Sequence, residues 1–114
     1  MRRFSLAVTA LLAMMISTAA FADAGNFTLV NRTGSDIRAL SVRRVGTNAW
    51  QPLGGNPADG SRTAVAFANP DCAFDIRATL VGGEAVTFPG VNLCEVTTVT
   101  LNRNRSGGLW VDYD

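Results

Sequence analysis

The sequence contains no histidine and no lysine. Without histidine, the usual catalytic triads, Cys–His pairs and the commonest side-chain ligand of transition metals are excluded. Without lysine, Schiff-base chemistry and a P-loop phosphate site are excluded too. The two cysteines, Cys72 and Cys94, are too few to form a zinc site. We therefore expect no enzyme, no cofactor and no metal centre in this chain.

Carboxylates are the remaining side chains with catalytic or metal-binding chemistry. Four of them lie near the cysteines: Asp71, Asp75, Glu84 and Glu95. A facing pair among these would suit a small hydrolase. Two further sets could contribute to a calcium site, although neither has the dense oxygen ligands of a calcium loop: Asp59 with Asn56, and Asp112 with Asp114. The simpler interpretation is that all of them are solvated charges on turns and strand faces.

The first 22 residues have the three parts of a secretory signal peptide. A basic start over 1–3 precedes an apolar run over 6–16, and Ala20-Phe21-Ala22 supplies a small-x-small cleavage pattern. A membrane anchor is the alternative, but the apolar run is too short to span a bilayer comfortably. Cleavage after Ala22, or after Ala24 in a second frame, leaves a single domain of residues 23–114. We expect a periplasmic or secreted location.

The rest of the chain has the period-two pattern of short β-strands and no convincing helical periodicity. The clearest run alternates apolar residues at 72, 74, 76, 78 and 80 with mostly polar ones, and further β-prone runs cover 27–30, 37–42, 63–68, 85–88 and 96–101. The segment 109–114 is either a last strand or a loose tail. About six or seven strands predict an all-β fold after the signal helix, either an immunoglobulin-like antiparallel sandwich or a small barrel. Pro89-Gly90 predicts that its strand is bulged or lies at a sheet edge.

The register of the hairpin that contains the cysteines depends on its turn. A three-residue loop over 82–84 pairs Leu80 with Val86 and places Cys72 opposite Cys94. Residues directly opposite have Cβ atoms about 4.5–5.5 Å apart, which is close to the separation that a disulfide needs. In an exported chain we therefore expect a Cys72–Cys94 disulfide.

Several segments resemble a group of small exported proteins of Gram-negative, mostly alphaproteobacterial, bacteria. The matching segments are 27–34, 36–37, 50–54, 72–77 and 90–96. Members of the group have no characterised function and are sometimes labelled argininosuccinate lyase, a large helical oligomer whose active-site segments have no counterpart here. The resemblance implies an exported location and a β fold, and it supplies no catalytic residues.

Arginine supplies every basic side chain and suggests one interaction surface. Of ten arginines, two lie in 1–22, so eight remain against nine acidic residues, and we do not expect a nucleic-acid binder. Arg38, Arg43, Arg44 and Arg77 form a predicted patch on outward strand faces. Guanidinium forks of this kind suit carboxylates and phosphates. An acidic glycan or a protein is therefore the expected partner.

Aromatic side chains suggest a second surface. Trp110 and Tyr113 lie in a polar C-terminal segment and suit contact with a sugar or a protein, whereas Trp50 is expected to anchor the segment 48–60 to the core edge. The sequence thus favours an exported, non-catalytic interaction domain. The alternatives are a structural or stress-related envelope protein and, less favoured, the carboxylate-dependent hydrolase.

Overall fold

The computed structural model describes residues 23–114, so the predicted signal peptide, its helix and its cleavage after Ala22 lie outside the described residues. The regular elements of the described part are eight β-strands: β1 (Phe27–Arg32), β2 (Ile37–Arg44), β3 (Gln51–Pro52), β4 (Arg62–Val65), β5 (Ala73–Leu80), β6 (Ala85–Asn92), β7 (Thr98–Arg103) and β8 (Leu109–Tyr113). Over residues 23–114, no helix has the length and apolarity needed to cross a membrane.

The strands form two four-stranded sheets that enclose one core. The first sheet has the order β4-β1-β7-β8 and the second has the order β3-β2-β5-β6. The predicted all-β sandwich is confirmed. The short edge strand over 51–52 was not predicted from the sequence. The C-terminal segment, for which the sequence allowed a strand or a loose tail, is a strand. The sheets are mostly antiparallel, and one pair departs from that pattern, because β1 and β7 run parallel.

The alternating pattern of β5 places its apolar residues in the core. Phe74, Ile76, Ala78 and Leu80 are each exposed by no more than 2%. Leu29 and Val99 are fully buried in the same core cluster and come from the first sheet. Each fully buried large apolar side chain stabilises the fold by about 1.5–3 kcal/mol, so this shared layer holds the two sheets together.

The β5–β6 hairpin has a different register from the predicted one. Ala78 pairs with Val86, so the strands are displaced by two residues relative to the expectation. The cause is the turn: the Leu80 N–H donates to the Glu84 carbonyl at 2.7 Å, and the three-residue loop is therefore 81–83. A displacement of two residues keeps every side chain on its original face. The apolar alternation alone could therefore not distinguish the two registers.

A β-bulge brings the cysteines together despite that displacement. Pro89 and Gly90, on the edge strand β6, lie opposite Asp75 alone on β5, which confirms the bulged edge strand that the proline predicted. The bulge shifts the register by one residue, and beyond it the Leu93 N–H donates to the Cys72 carbonyl at 2.9 Å. Cys72 and Cys94 then form the predicted disulfide, with their Cα atoms 5.1 Å apart.

Polar contacts close the opposite end of the sandwich. The Arg103 Nε donates to the Thr33 carbonyl at 2.9 Å, and its Nη1 donates to the Glu84 carboxylate at 3.0 Å. Asn31 is fully buried beside this contact; its amide donates to the Pro57 carbonyl and its Oδ1 accepts from the Thr33 N–H and hydroxyl. Arg103 thus ties β7 to the turn of the other sheet, at the end of the hairpin away from the disulfide.

Candidate functional site

Four side chains gather on the face of the second sheet that points away from the core. They are Arg43, Trp50, Asp75 and Arg77, and we call them the tryptophan–arginine cluster. Arg43 and Asp75 are a cross-strand pair of β2 and β5, and Arg77 follows Asp75 on the same face of β5. Trp50 immediately precedes β3, the edge strand that pairs with β2. Pairing within one sheet therefore places all four side chains on a single surface.

Trp50 is held by the two arginines. The guanidinium carbon of Arg43 lies 4.5 Å from the centroid of the indole ring, and that of Arg77 lies 4.1 Å from it. Both distances are within cation–π range. Trp50 is half-buried and does not belong to the core cluster. The expectation that it anchors the core edge is thus wrong, because arginines on the outer face provide its packing partners.

Asp75 is the buried member of the cluster, with 7% of its surface exposed. Its carboxylate accepts from the Gly90 N–H at 2.9 Å and from the Arg43 Nε at 2.8 Å. The Gly90 hydrogen bond, followed by the hydrogen bond and charge of Arg43, lowers the pKa of Asp75 below its ordinary value against the opposing effect of burial. Asp75 was expected to be a solvated strand-face charge. That expectation is wrong, because the bulge on β6 aims a backbone donor at it.

Asp75 also limits the motion of Arg43. With Nε engaged by the carboxylate, the Nη1 of Arg43 donates to the Asn48 Oδ1 at 3.2 Å. An arginine that is hydrogen-bonded at two points and stacked on an aromatic ring has lost most of its rotamer freedom before any partner arrives. The cluster is therefore a built arrangement in which a buried carboxylate positions a surface cation.

The guanidinium N–H donors of Arg77 are not engaged by protein acceptors within residues 23–114. Within residues 23–114 its guanidinium stacks on Trp50 and makes no hydrogen bond or ion pair with a protein group. A guanidinium has five N–H donors in a planar fork that matches a carboxylate or a phosphate. The stack on Trp50 orients that fork while its N–H groups stay available to an external anion.

A cavity of about 250 Å³ lies next to the cluster. Its lining combines apolar and hydrogen-bonding side chains: Val42, Arg43, Arg44, Thr47, Ala49, Gln51, Phe67, Asn69, Asp71 and Phe74. Arg43 belongs to both the cavity and the cluster, and Gln51 is the neighbour of Trp50 in the chain. Arg44 and Asp71 form an ion pair of 3.0 Å in the cavity wall, with side chains 57% and 44% exposed. Val42 and Phe74 belong to the core face of the second sheet, so the cavity opens on the core side, whereas the cluster lies on the outer face.

The predicted arginine patch is only partly assembled. Arg43 and Arg77 meet at Trp50, whereas Arg44 faces the cavity with Asp71. Arg38 is exposed on β2 at a register irregularity, away from the Trp50 contacts. The structure thus brings together two of the four predicted arginines and adds a tryptophan that sequence reasoning had assigned to the core.

The two C-terminal aromatic residues lie on the other sheet. Trp110 is 46% exposed on β8, where it pairs with Asn102 of β7. Tyr113 is 44% exposed, and its hydroxyl accepts from the Asn92 N–H at 2.9 Å, which joins the edge of β8 to the edge of β6. The tryptophan–arginine cluster belongs to the second sheet. The predicted surface residues therefore occupy two separate regions.

Most of the carboxylates considered for a hydrolytic pair are engaged by arginines. Three of them pair with a different arginine each: Asp71 with Arg44, Asp75 with Arg43, and Glu84 with Arg103. Glu95 is exposed directly after Cys94 and has a φ of 59°. Asp71, Asp75 and Glu84 thus each bind an arginine side chain.

The two candidate calcium sets are engaged in protein contacts. The Asp59 carboxylate accepts from the Gly34 N–H, and the Asp112 carboxylate accepts from the Asn102 amide, both at 3.0 Å. The part of the chain that the structure describes holds no group of three or more side chains suited to a metal ion. These carboxylates serve turn and cross-strand hydrogen bonds.

Comparison with known proteins yields a structural match. Neither a protein-family model nor a curated protein matches the chain. The fold is similar to the NMR structure of a protein from Eubacterium rectale, with a TM-score of 0.56 and 14% sequence identity. That similarity covers 85% of this chain and 93% of the other. At such low identity it shows that the two proteins share a fold.

Proposed function

We propose that this protein is an exported, non-catalytic interaction domain whose tryptophan–arginine cluster binds an acidic group of its partner. The observation that carries the proposal is Arg77, which is stacked on Trp50 and has no acidic partner within residues 23–114. Because the stack orients the guanidinium in advance, less side-chain entropy is lost when an anion binds. The cluster therefore acts as a preorganised anion receptor.

Two observations support a periplasmic or secreted location. The first 22 residues have the pattern of a signal peptide. The Cys72–Cys94 disulfide belongs to the kind of bond that persists in oxidising compartments and is rare in the cytosol. A partner in that location is a component of the cell envelope or of the surroundings of the cell.

The local charge of the cluster differs from that of the domain. Two arginines face a single carboxylate, and that carboxylate is buried and already engaged by one of them. The remaining positive charge lies in a domain whose acidic residues slightly outnumber its arginines. Attraction of an anion to such a site is screened by salt over about 8–10 Å at ordinary ionic strength, so binding should weaken as salt increases.

Binding to charged polymers tests the proposal. The full chain is expressed, and the exported protein is purified and immobilised through its α-amino group, since no lysine competes for amine coupling. Acidic polysaccharides and polyglutamate are compared with neutral polymers. Arg77→Gln should weaken acid binding by about tenfold or more, because a hydrogen bond to a charged group contributes about 1.5–3 kcal/mol. Arg62→Gln, an exposed arginine on the other sheet, should leave it unchanged.

The outcome that contradicts the proposal is specific. If no acidic polymer binds, or if Arg77→Gln and Arg62→Gln weaken binding equally, the cluster is not the receptor. Unfolding midpoints of both variants near that of the unchanged protein establish that any loss of binding is local.

A structural role in the envelope is the second candidate, because the sandwich is fastened at both ends. The disulfide joins the residue before β5 to the segment after β6, and Arg103 joins the two sheets at the other end. A deletion strain complemented with Arg77→Gln separates the two functions. Full recovery of envelope resistance by that variant would favour the structural role, and failure of recovery would favour the receptor.

A further inference from the structure

We infer that β8 is a self-association edge, through which two copies of this chain pair antiparallel and join their first sheets into one sheet of eight strands. The pairing does not depend on the tryptophan–arginine cluster and goes beyond the proposed function. Its basis is a free sheet edge that carries two exposed aromatic side chains, Trp110 and Tyr113. The partner that this edge fits is a second copy of the chain.

The alternation of hydrogen bonds shows which main-chain groups of β8 face outward. The Asp114 N–H donates to the Thr98 carbonyl at 2.9 Å, and the Thr98 N–H donates to the Asp114 carbonyl at 3.2 Å. In an antiparallel pair, such positions alternate with positions whose N–H and C=O point away from the neighbouring strand. The main-chain groups of Leu109, Val111 and Tyr113 therefore point away from β7, and β8 has no second neighbour among the described strands.

The other three edge strands have features that hinder pairing. Strand β3 has two residues including Pro52, Pro89 and the bulge interrupt β6, and the four residues of β4 include the exposed Arg62. Short length, proline, bulges and exposed charge are the devices by which sheets avoid edge-to-edge association. Strand β8 has five residues without proline, glycine or a basic side chain, and the Asn102 amide holds its one acid, Asp112. It is the least protected of the four edges.

One register of self-pairing satisfies this edge without placing like charges opposite each other. With Val111 opposite the Val111 of the second copy, Leu109 lies opposite Tyr113, and Trp110 lies opposite Asp112. The three outward-facing residues of each copy then exchange six main-chain hydrogen bonds. Displacement by two residues in one direction places the two Asp112 side chains opposite each other, where like charges destabilise the pair. Displacement in the other direction leaves Tyr113 beyond the end of the opposing strand.

The contact between Tyr113 and β6 leaves the edge open. The Tyr113 hydroxyl accepts from the Asn92 N–H at 2.9 Å, so this side chain reaches from the first sheet to the second. The side chain of Trp110, the pair of Asn102, lies on the opposite face of β8. Strand side chains stand roughly perpendicular to their sheet, whereas a new strand approaches within its plane at about 4.8 Å. The two aromatic side chains therefore flank the approaching strand.

The symmetry of the pair has a consequence for the tryptophan–arginine cluster. Antiparallel strands of one sheet are related by a two-fold axis perpendicular to that sheet, so both second sheets lie on the same side of the joined sheet. The cluster lies on the outer face of the second sheet, and its two copies would face the same direction. An acidic polymer would then contact two clusters at once, which raises avidity without a new contact. This consequence, unlike the pairing itself, rests on the proposed function.

Sedimentation velocity of the exported protein, from about 10 μM to about 1 mM, tests the pairing. Two strands of five residues bury less area than the roughly 800 Å² per partner of a standard interface, so we expect a dissociation constant on the order of 100 μM. Val111→Pro should weaken association by about tenfold or more, because proline has no N–H to donate across the edge. Ala64→Pro is the matched control: it changes an outward-facing position of β4, the opposite edge of the same sheet, and should leave association unchanged.

Two substitutions of Trp110 test the register without altering the main chain. This side chain is 46% exposed, so both variants should keep the fold. Trp110→Asp places an acid opposite the Asp112 of the second copy, and Trp110→Arg places a cation there. Opposite charges across a strand pair stabilise it and like charges destabilise it. Trp110→Arg should therefore associate about tenfold more tightly than Trp110→Asp, and the difference should shrink as salt increases.

Each result decides for or against the pairing. A protein that stays monomeric at about 1 mM overturns the inference and leaves this edge to a strand of another protein. Association that Val111→Pro leaves intact, in a variant with a cooperative urea transition, shows that another surface is used. Equal association of the two Trp110 variants overturns the register. Binding of acidic polymers is measured separately with Arg77→Gln, so failure of the pairing and failure of the proposed function are distinguishable.

Discussion

Replacement of Asp75 by asparagine tests whether the buried carboxylate organises the outer face of the sheet. The carboxylate accepts one hydrogen bond from Gly90 on β6 and one from Arg43 on β2, so it connects three neighbouring strands through a single side chain. The asparagine side chain would have the same shape but only one acceptor oxygen. Its amide NH₂ would face whichever donor the oxygen does not serve.

The cost of Asp75→Asn can be worked from those two bonds. A hydrogen bond to a charged group contributes about 1.5–3 kcal/mol, and one bond is lost while the other is weakened. The Arg43 side chain is 28% exposed and can turn partly to water, which reduces the loss. We expect a decrease of about 2 kcal/mol in the free energy of unfolding at neutral pH. With a urea m-value of about 1 kcal/mol/M, the midpoint should fall by about 2 M.

The cost should depend on pH in a defined direction. The folded protein lowers the pKa of Asp75 below its ordinary value of 3.8, so ionisation stabilises the fold above that value. This stabilisation is lost as the pH falls through the folded-state pKa. The difference between the two proteins should therefore be largest near neutral pH and should shrink at pH values below 3.8.

Asp71→Asn is the matched control, because Asp71 also pairs with an arginine but does so in solvent. Its side chain is 44% exposed and that of Arg44 is 57% exposed, so the expected cost is about 0.5 kcal/mol or less. Urea denaturation with the disulfide intact measures both variants. Equal costs for the two substitutions, or a cost of Asp75→Asn that does not shrink in acid, would refute the proposed role of Asp75.

Three further predictions concern stability and use the same urea assay. Joint replacement of Cys72 and Cys94 by serine should lower the free energy of unfolding by about 3 kcal/mol, because the disulfide links residues with a sequence separation of 22; an unchanged urea midpoint would contradict this. Asn31→Ala should cost about 3 kcal/mol, because it leaves the buried Thr33 N–H and its other partners without the amide; a cost below about 1 kcal/mol would show that water replaces it. Glu95→Asn should raise stability by about 0.5 kcal/mol, because asparagine tolerates a φ of 59° better than glutamate; a decrease would show that this backbone is unstrained.

The β5–β6 hairpin shows which parts of the fold the sequence specifies. Alternating apolar residues identify both strands and the core face, and Pro89 identifies the bulge. The register was wrong by two residues because glycines at 82 and 83 allow more than one loop, and both loops preserve the faces. The disulfide prediction was nevertheless correct, because the bulge shifts the strand register in the direction opposite to the shift caused by the loop over 81–83.

The parallel pairing of β1 with β7 lay beyond local reasoning. Strand propensity and turn residues report on neighbours in the chain, and these two strands are separated by most of the domain. The tryptophan–arginine cluster was not predicted from the sequence for the same reason. Its members come from β2, β5 and the segment before β3, and only the sheet order shows that Trp50 lies over Arg43 and Arg77. In a polar segment a tryptophan suggests core anchoring, and no local signal distinguishes an arginine stack from it.

The parallel pairing also sets the time at which the domain can fold. Strand β1 lies in the middle of its sheet, between β4 and β7, so its second neighbour is absent until the chain has emerged almost to its C-terminus. Contacts between such distant segments are slow to form, because closing a long loop costs entropy before any contact is gained. If the chain is exported as we propose, this delay would help, because a polypeptide that cannot complete its sheet early would stay unfolded during translocation. The first sheet would then close only after β7 has crossed the membrane.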